Sequence, residues 1–289
     1  MNFAGKSIIV TGASRGLGKA IAIELGRRGA MVACVARATD ENPLRLPGTV
    51  DETARLVTET GGLGLAVQCD LARDTAILGA FETILDRFGC LDMLVNNAAV
   101  TFGGDLDIEM KRYDVIMRVN VRAPLMISRL ARPYLGRGSE GGRILNIGTS
   151  TSTAYFSDAM AFGVSKAGLE YLTISAAAIL HAENIAVNCY RIDWPMATDG
   201  NLSNFPDADH STWIDPATAA DGAIWMLEQP VDWTGRIVTM LELAEHVPSI
   251  ARLGMEPFDL PGRWTLAAAR RGIDEPVTAA GTDGSPAAT

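Results

Sequence analysis

The stretch TGASRGLGKAIA, residues 11–22, puts Gly12, Gly16 and Gly18 between the short apolar run KSIIVTG (6–12) and the amphipathic segment LGKAIAIELGRRG (17–29). Glycine at a strand-to-helix turn lets the backbone approach a diphosphate closely. The helix N-terminus beyond it offers unpaired N–H groups and the positive end of a dipole. A glycine pattern alone is weak, and the plain alternative is a tight turn. Its place after a strand and before a helix makes it an expected dinucleotide loop, with Ser14, Arg15 and Leu17 filling the positions between the glycines.

Outward from this turn, β-branched runs alternate with helical patterns. AMVACVA (30–36), GLAVQCD (64–70), LDMLVNN (91–97), GRILNIG (142–148), NIAVNCY (184–190) and GRIVTM (235–240) join KSIIVTG as seven expected strands. The runs are nearly continuously apolar, so both sheet faces must be covered. The expected fold is a doubly wound, mostly parallel seven-stranded α/β sheet of Rossmann type, with helices on both faces.

Sites that prefer NAD(H) usually end the second strand with an acidic residue, which accepts from the ribose hydroxyls. Here that position reads Ala36 and then Arg37. With Arg15 in the glycine loop, the charge suits a 2′-phosphate, so NADP(H) is expected over NAD(H). The competing reading makes both arginines solvated surface charges.

Composition narrows the partners. The chain has 289 residues, 48% hydrophobic and 20% charged, with a formal charge of −9 and no Lys/Arg-rich run. Nucleic acid and anionic membranes are disfavoured, and a small molecule is expected. Cys34, Cys69, Cys90 and Cys189 stand singly in apolar stretches, which suggests buried thiols in a reducing compartment. His181, His210 and His246 show no metal-ligand spacing. The N-terminus shows no signal pattern and no run reaches a membrane span, so the expectation is a cytoplasmic protein.

One domain over 1–253 is expected, followed by an extension over 254–289 whose last part, DEPVTAAGTDGSPAAT, reads as a disordered tail. Two irregular segments interrupt the pattern. RATDENPLRLPGTVDE (37–52) is an ordered excursion or flap, most irregular over 38–50. RIDWPMATDGNLSNFPDADHSTW (191–213) follows the carboxyl end of the sixth strand and reads as a substrate lid.

TGASRGLG, CDL (69–71), NNAA (96–99), Asn120 in VNV, RILNIGTS and FGVSKAG occur in one order over residues 4–242. Together they resemble the short-chain dehydrogenase/reductase family. LPGTVDET and TGRIVTMLELAE resemble its hydroxysteroid-dehydrogenase-like branch. The resemblance implies that Asp70 and Leu71 contact adenine, that Asn97, Ala98 and Ile192 line the cofactor groove, and that Asn120 holds a helix irregularity and a proton-relay water. It gives Thr149 the place of a substrate-binding serine and Lys166 the nicotinamide ribose. It also implies a homodimer or homotetramer, assembled through helices over 109–134 and 158–182.

The chain departs from the family at Phe162, where the resemblance implies a catalytic tyrosine. A phenol with pKa near 10 works as an acid when a cation depresses it, and positions 162 and 166 share one helical face. Phenylalanine keeps the ring and loses the proton. Three readings stay open. Phe162 is an introduced Tyr-to-Phe substitution. Or the protein is naturally without the phenol, reducing an iminium carbon or using Tyr155, Ser150 or Tyr190 instead. Or it is a scaffold that binds NADP(H) without catalysis.

YRIDWP also stands where the family commonly has a Pro-Gly pair. Ser150, Tyr155, Trp194 and Met196 are expected to line the substrate site with Thr149, although Tyr155, Phe156, Trp194, Met196 and Trp213 suit simple packing equally well. His181 reads as a helix-terminal group. The expected activity is NADP(H)-dependent interconversion of a secondary alcohol and a ketone (EC 1.1.1.-) on a moderately bulky apolar substrate, impaired by Phe162.

Overall fold

A computed structural model describes residues 2–255. The reading of the C-terminal segment as an extension and tail falls, from residue 256 on, outside the described residues. In chain order the elements are β1 (Ser7–Thr11), α1 (Gly16–Arg27), β2 (Met31–Ala36), α2 (Val50–Glu59), β3 (Leu63–Gln68), α3 (Asp74–Phe88) and β4 (Met93–Asn96). There follow α4 (Met110–Met117), a π turn (Arg118–Arg122), α5 (Ala123–Ala131), β5 (Gly142–Thr149), α6 (Met160–Leu180) and β6 (Ile185–Ile192). The last are α7 (Asp199–Asn204), α8 (Pro216–Glu228), β7 (Ile237–Thr239), α9 (Met240–Leu243) and α10 (Pro248–Ala251).

The strands form one sheet in the order β3-β2-β1-β4-β5-β6-β7, and every pair is parallel. All seven expected strands are present. Successive side chains point to opposite faces. Ile8 and Val10 of β1 therefore join a core with Ile21 and Leu25 of α1, Val57 of α2 and Ile224 of α8. Ile9 joins the opposite core, with Phe81 of α3, Ile127 of α5 and Ala177 of α6. Burial on both sides is why the strands read as unbroken apolar runs.

The chain leaves β1 toward β2 and β3, and returns to β4 on the other side. This reversal opens a crevice at the carboxyl ends of β1 and β4, where ligands bind in such sheets. The segment read as a lid starts later than expected, because β6 continues through Ile192. Its base is fastened by a parallel bridge between Met196 and Ile214, with Ala197 N donating to Ile214 O at 2.9 Å. Helix α7 occupies its middle.

All four cysteines are free; Cys34, Cys69 and Cys189 are buried as expected, but Cys90 is exposed. It follows Gly89, the left-handed residue that ends α3, so the chain has already turned out of the core there. Among the described residues, no helix is long and apolar enough to cross a membrane.

Candidate active site

The turn after β1 is built around Gly12. Its φ of +69° is one that side chains rarely adopt, and a Cβ there would lie 2.8 Å from Ala98 Cα and 2.9 Å from Asn97 Nδ2. Thr11 locks the same corner: its Oγ1 accepts from the amides of Asn97 (3.0 Å) and Ala98 (3.1 Å). Asn97 Nδ2 returns bonds to Thr11 O at 2.9 Å and Gly12 O at 3.3 Å. A Cβ on Gly18 would overlap Gly12 O, so glycine there lets α1 begin directly against the turn. Thr11 was not singled out in the sequence, although a polar residue ending an apolar strand was the available signal.

This turn suits the diphosphate of a dinucleotide: it is walled largely by backbone, and because a Cβ at 12 or 18 would collide with Asn97, Ala98 or Gly12 O, only glycine lets the turn and the start of α1 close together in this shape. Gly16, Ser14 and the amides that open α1 lie on the same turn. Beside it, Arg15 Nη2 donates to Gly48 O at 3.4 Å, while Arg15 Nε is buried without a hydrogen-bond partner. Burial pushes the Arg15 guanidinium below its ordinary value; Asp199 opposes this and Arg37 adds to it. Arg37 is exposed just past β2 and lines a recess with Gln68, Asp70 and Arg73. Asp70 Oδ1 accepts from Ala72 N at 3.1 Å, which fixes the turn after β3. The side chains of Leu17, Leu71 and Ile192 are buried in the two cores.

A second cluster lies where α6 crosses the ends of β5 and β6. Lys166 is 3% exposed; its Nζ donates to Ile147 O at 2.7 Å and sits 5.7 Å from the centre of the Phe162 ring. Burial pushes its pKa down to about 8, against the opposing influence of Cys189 and Glu170. Asn120 stands in the π turn between α4 and α5, so the expected helix irregularity is present. Its Oδ1 accepts from Val100 N (2.8 Å), and its Nδ2 donates to Val100 O (2.9 Å) and Ser165 Oγ (3.0 Å). Ser165 Oγ in turn donates to Phe162 O at 2.7 Å.

Thr149 ends β5 in register with Ile192, and Ser150 follows it. The chain beyond is held by a buried carboxylate that the sequence reading passed over. Glu170, one turn past Lys166, accepts from Arg191 Nε at 2.9 Å and Nη2 at 2.8 Å. Ser152 Oγ lies 2.6 Å from Glu170 Oε1 and 2.7 Å from Thr149 O. A lone Glu on an apolar helix, with an Arg ending an apolar strand, carried the signal.

Tyr190 points away from Lys166 and Phe162. Its neighbour Cys189 turns toward Lys166, so alternation along β6 sends Tyr190 to the opposite face, fully buried in the core. A Cβ on Gly222 of α8 would lie 2.5 Å from its hydroxyl, and burial raises the phenol's pKa far above the ordinary range. Tyr155 is half exposed, and its hydroxyl donates to Asp105 Oδ2 at 2.9 Å; that bond, with partial burial, raises its pKa. Trp194 and Met196 pack against the core beneath the lid, and Trp194 Nε1 donates to Thr212 O at 3.1 Å. Trp213 packs within the lid against Phe205 and His210. His181 caps α6, as its position suggested.

A parallel sheet with a glycine turn at its switch point, and a buried lysine on α6 bonded to Ile147 O of β5, defines a doubly wound Rossmann-type α/β protein with a nucleotide-binding turn. The profile of the short chain dehydrogenases matches residues 6–200. The chain belongs to that family of nicotinamide-dependent oxidoreductases. It is 33% identical over 251 residues to hydroxysteroid dehydrogenase-like protein 2 of Xenopus tropicalis, covering 84% of this chain and 58% of that protein. The mouse protein of the same name is 34% identical over 81% of this chain and 48% of its own length. The chain thus spans about half the length of these relatives.

Among solved structures, one from Xanthomonas campestris superposes with a TM-score of 0.75 at 31% identity, covering 85% of this chain and 91% of that one. A short chain dehydrogenase from Burkholderia cenocepacia, solved in complex with NADP, gives 0.72 at 28% identity over 83% and 97%.

Proposed function

We propose that this chain is an NADP(H)-dependent oxidoreductase that interconverts a secondary alcohol and a ketone. The observation that carries the cofactor choice is Arg15, a partly buried guanidinium beside the glycine turn whose Nε is buried and unpartnered. Arg37 adds a second positive charge, and the residue ending β2 is Ala36 rather than an acid. The Burkholderia relative's complex with NADP agrees with this reading.

When bound, the nicotinamide donates or accepts the hydride. The chain's own residues bind, orient and handle protons. The Thr149 hydroxyl offers the donor and acceptor that position a substrate oxygen. Lys166 supplies a buried cation for the ribose hydroxyls, and Asn120 holds the chain at Val100 and the Ser165 hydroxyl. Phe162 supplies a ring and no proton. Its intact surroundings support the reading that a tyrosine has been replaced there, which leaves binding and removes the general acid.

The substrate we infer is apolar and moderately bulky. Phe102 after β4, Tyr155 after β5, and Leu202 of α7 with Phe205 at its end, after β6, are exposed at the carboxyl edge of the sheet. The relatives named for hydroxysteroids agree with that chemistry. Exposed Met110, Leu125, Val164, Tyr171, Ile174 and Ile179 on α4 to α6 support assembly through those helices. The experiment that tests the activity is NADPH oxidation by a panel of apolar ketones with the Phe162→Tyr variant. Turnover supports the reading; no turnover on any ketone contradicts it.

A further inference from the structure

The excursion over 38–49 does more than bridge β2 and α2. It folds back onto the glycine turn: Thr49 Oγ1 donates to Asp40 Oδ1 at 2.5 Å, Asp40 N donates to Asp51 Oδ2 at 2.9 Å, and Val50 N donates to Ala38 O at 3.0 Å. Thr53 Oγ1 of α2 donates to Ala13 O at 2.8 Å, tying the helix to the turn itself. The contact with Arg15 is made by Gly48. Its φ is +92°, a Cβ there would overlap Ser14 O, and it would lie 3.3 Å from Arg15 Cβ. Only glycine lets this backbone lie so close that its carbonyl accepts from Arg15 Nη2.

One guanidinium nitrogen is thus bonded to backbone of the excursion rather than to a mobile side chain, while Nε is buried and unpartnered. We propose that Gly48 is a positioning residue for cofactor discrimination: the 38–49 excursion clamps Arg15 so that its guanidinium meets the 2′-phosphate of NADP(H). This rests on the NADP(H) reading above. The clamp predicts preference for the phosphorylated coenzyme, because NAD(H) lacks the group that Arg15 is held to meet.

The test is fluorescence titration of the purified protein with NADPH and with NADH, for the wild type, Gly48→Ala, Arg15→Ala and the double variant. Gly48→Ala is expected to weaken NADPH binding about tenfold, the scale of one hydrogen bond to a charged group, and NADH binding less than about twofold. In the Arg15→Ala background, Gly48→Ala should add little further loss of NADPH affinity. Thr49→Val, which loosens the excursion without a backbone clash, should shift the same ratio in the same direction and serves if Gly48→Ala does not fold.

Equal losses for both coenzymes would mean the excursion is structural only, and would overturn the proposal; so would an unchanged ratio in a wild type that prefers NADPH. A wild type that does not prefer NADPH overturns the cofactor reading instead, and the clamp falls with it.

Discussion

The Lys166 ammonium lies 5.7 Å from the centre of the Phe162 ring, one helical turn earlier on α6. A tyrosine at 162 would bring a phenol beside a cation that is itself sheltered and held by Ile147 O. Phe162→Tyr should therefore raise kcat for ketone reduction by about 10²- to 10⁴-fold, the usual range for a positioned general acid. NADPH affinity should change little. Steady-state kinetics of both proteins read the two quantities separately.

Lys166 also makes a stability prediction. Its pKa falls from 10.5 to about 8 because burial disfavours the charged form. Below about pH 8 both folded and unfolded chains are protonated and the full cost of burying the charge is present. Between about 8 and 10.5 the unfolded chain binds the proton and the folded chain does not, so stability rises with pH. Relative to Lys166→Met, the wild type should gain on the order of 3 kcal/mol between pH 7 and about 10.5. Urea melts of the apoprotein at both pH values measure this, and a pH-independent difference contradicts it.

Asn120 carries three hydrogen bonds in the π turn, two of them to Val100. Asn120→Leu strands the Val100 N–H and C=O together with its own volume mismatch. The expected loss is about 2 to 4 kcal/mol of unfolding free energy. A loss under about 1 kcal/mol in denaturant melts would show that water replaces these bonds.

Glu170 is paired with Arg191, and both are largely buried. Removing one partner leaves an uncompensated charge, so Glu170→Ala should cost about 3 kcal/mol or more. Restoring the shape without charge, Glu170→Gln, should cost less. Paired thermal melts distinguish the two.

The strands and their number were legible because a sheet covered on both faces writes an unbroken apolar run for each strand. The glycine turn was legible because Gly12 and Gly18 answer to local backbone geometry, which sequence spacing records. The roles of Thr11, Glu170 and Gly48 were not, because each acts on a partner far along the chain: Thr11 on residues 97 and 98, Glu170 on Arg191, and Gly48 on Ser14 and Arg15. That Tyr190, one of the hydroxyls considered in place of a phenol at 162, faces the core was not legible, because position in the sequence does not say which face of β6 a side chain takes until one neighbour on that strand is placed. The two readings of Trp194 and Met196, substrate lining and lid packing, could not be separated in sequence, since an apolar residue in a lid serves its own packing as readily as a substrate's.

The central claim is that a phosphorylated nicotinamide dinucleotide binds at the turn formed by Gly12 to Gly18. Calorimetric titration of the folded protein with NADPH and NADH tests it most directly. The account predicts saturable binding with NADPH the tighter ligand, reduced at least about tenfold by Gly12→Val. Well-folded protein that binds neither coenzyme would contradict it.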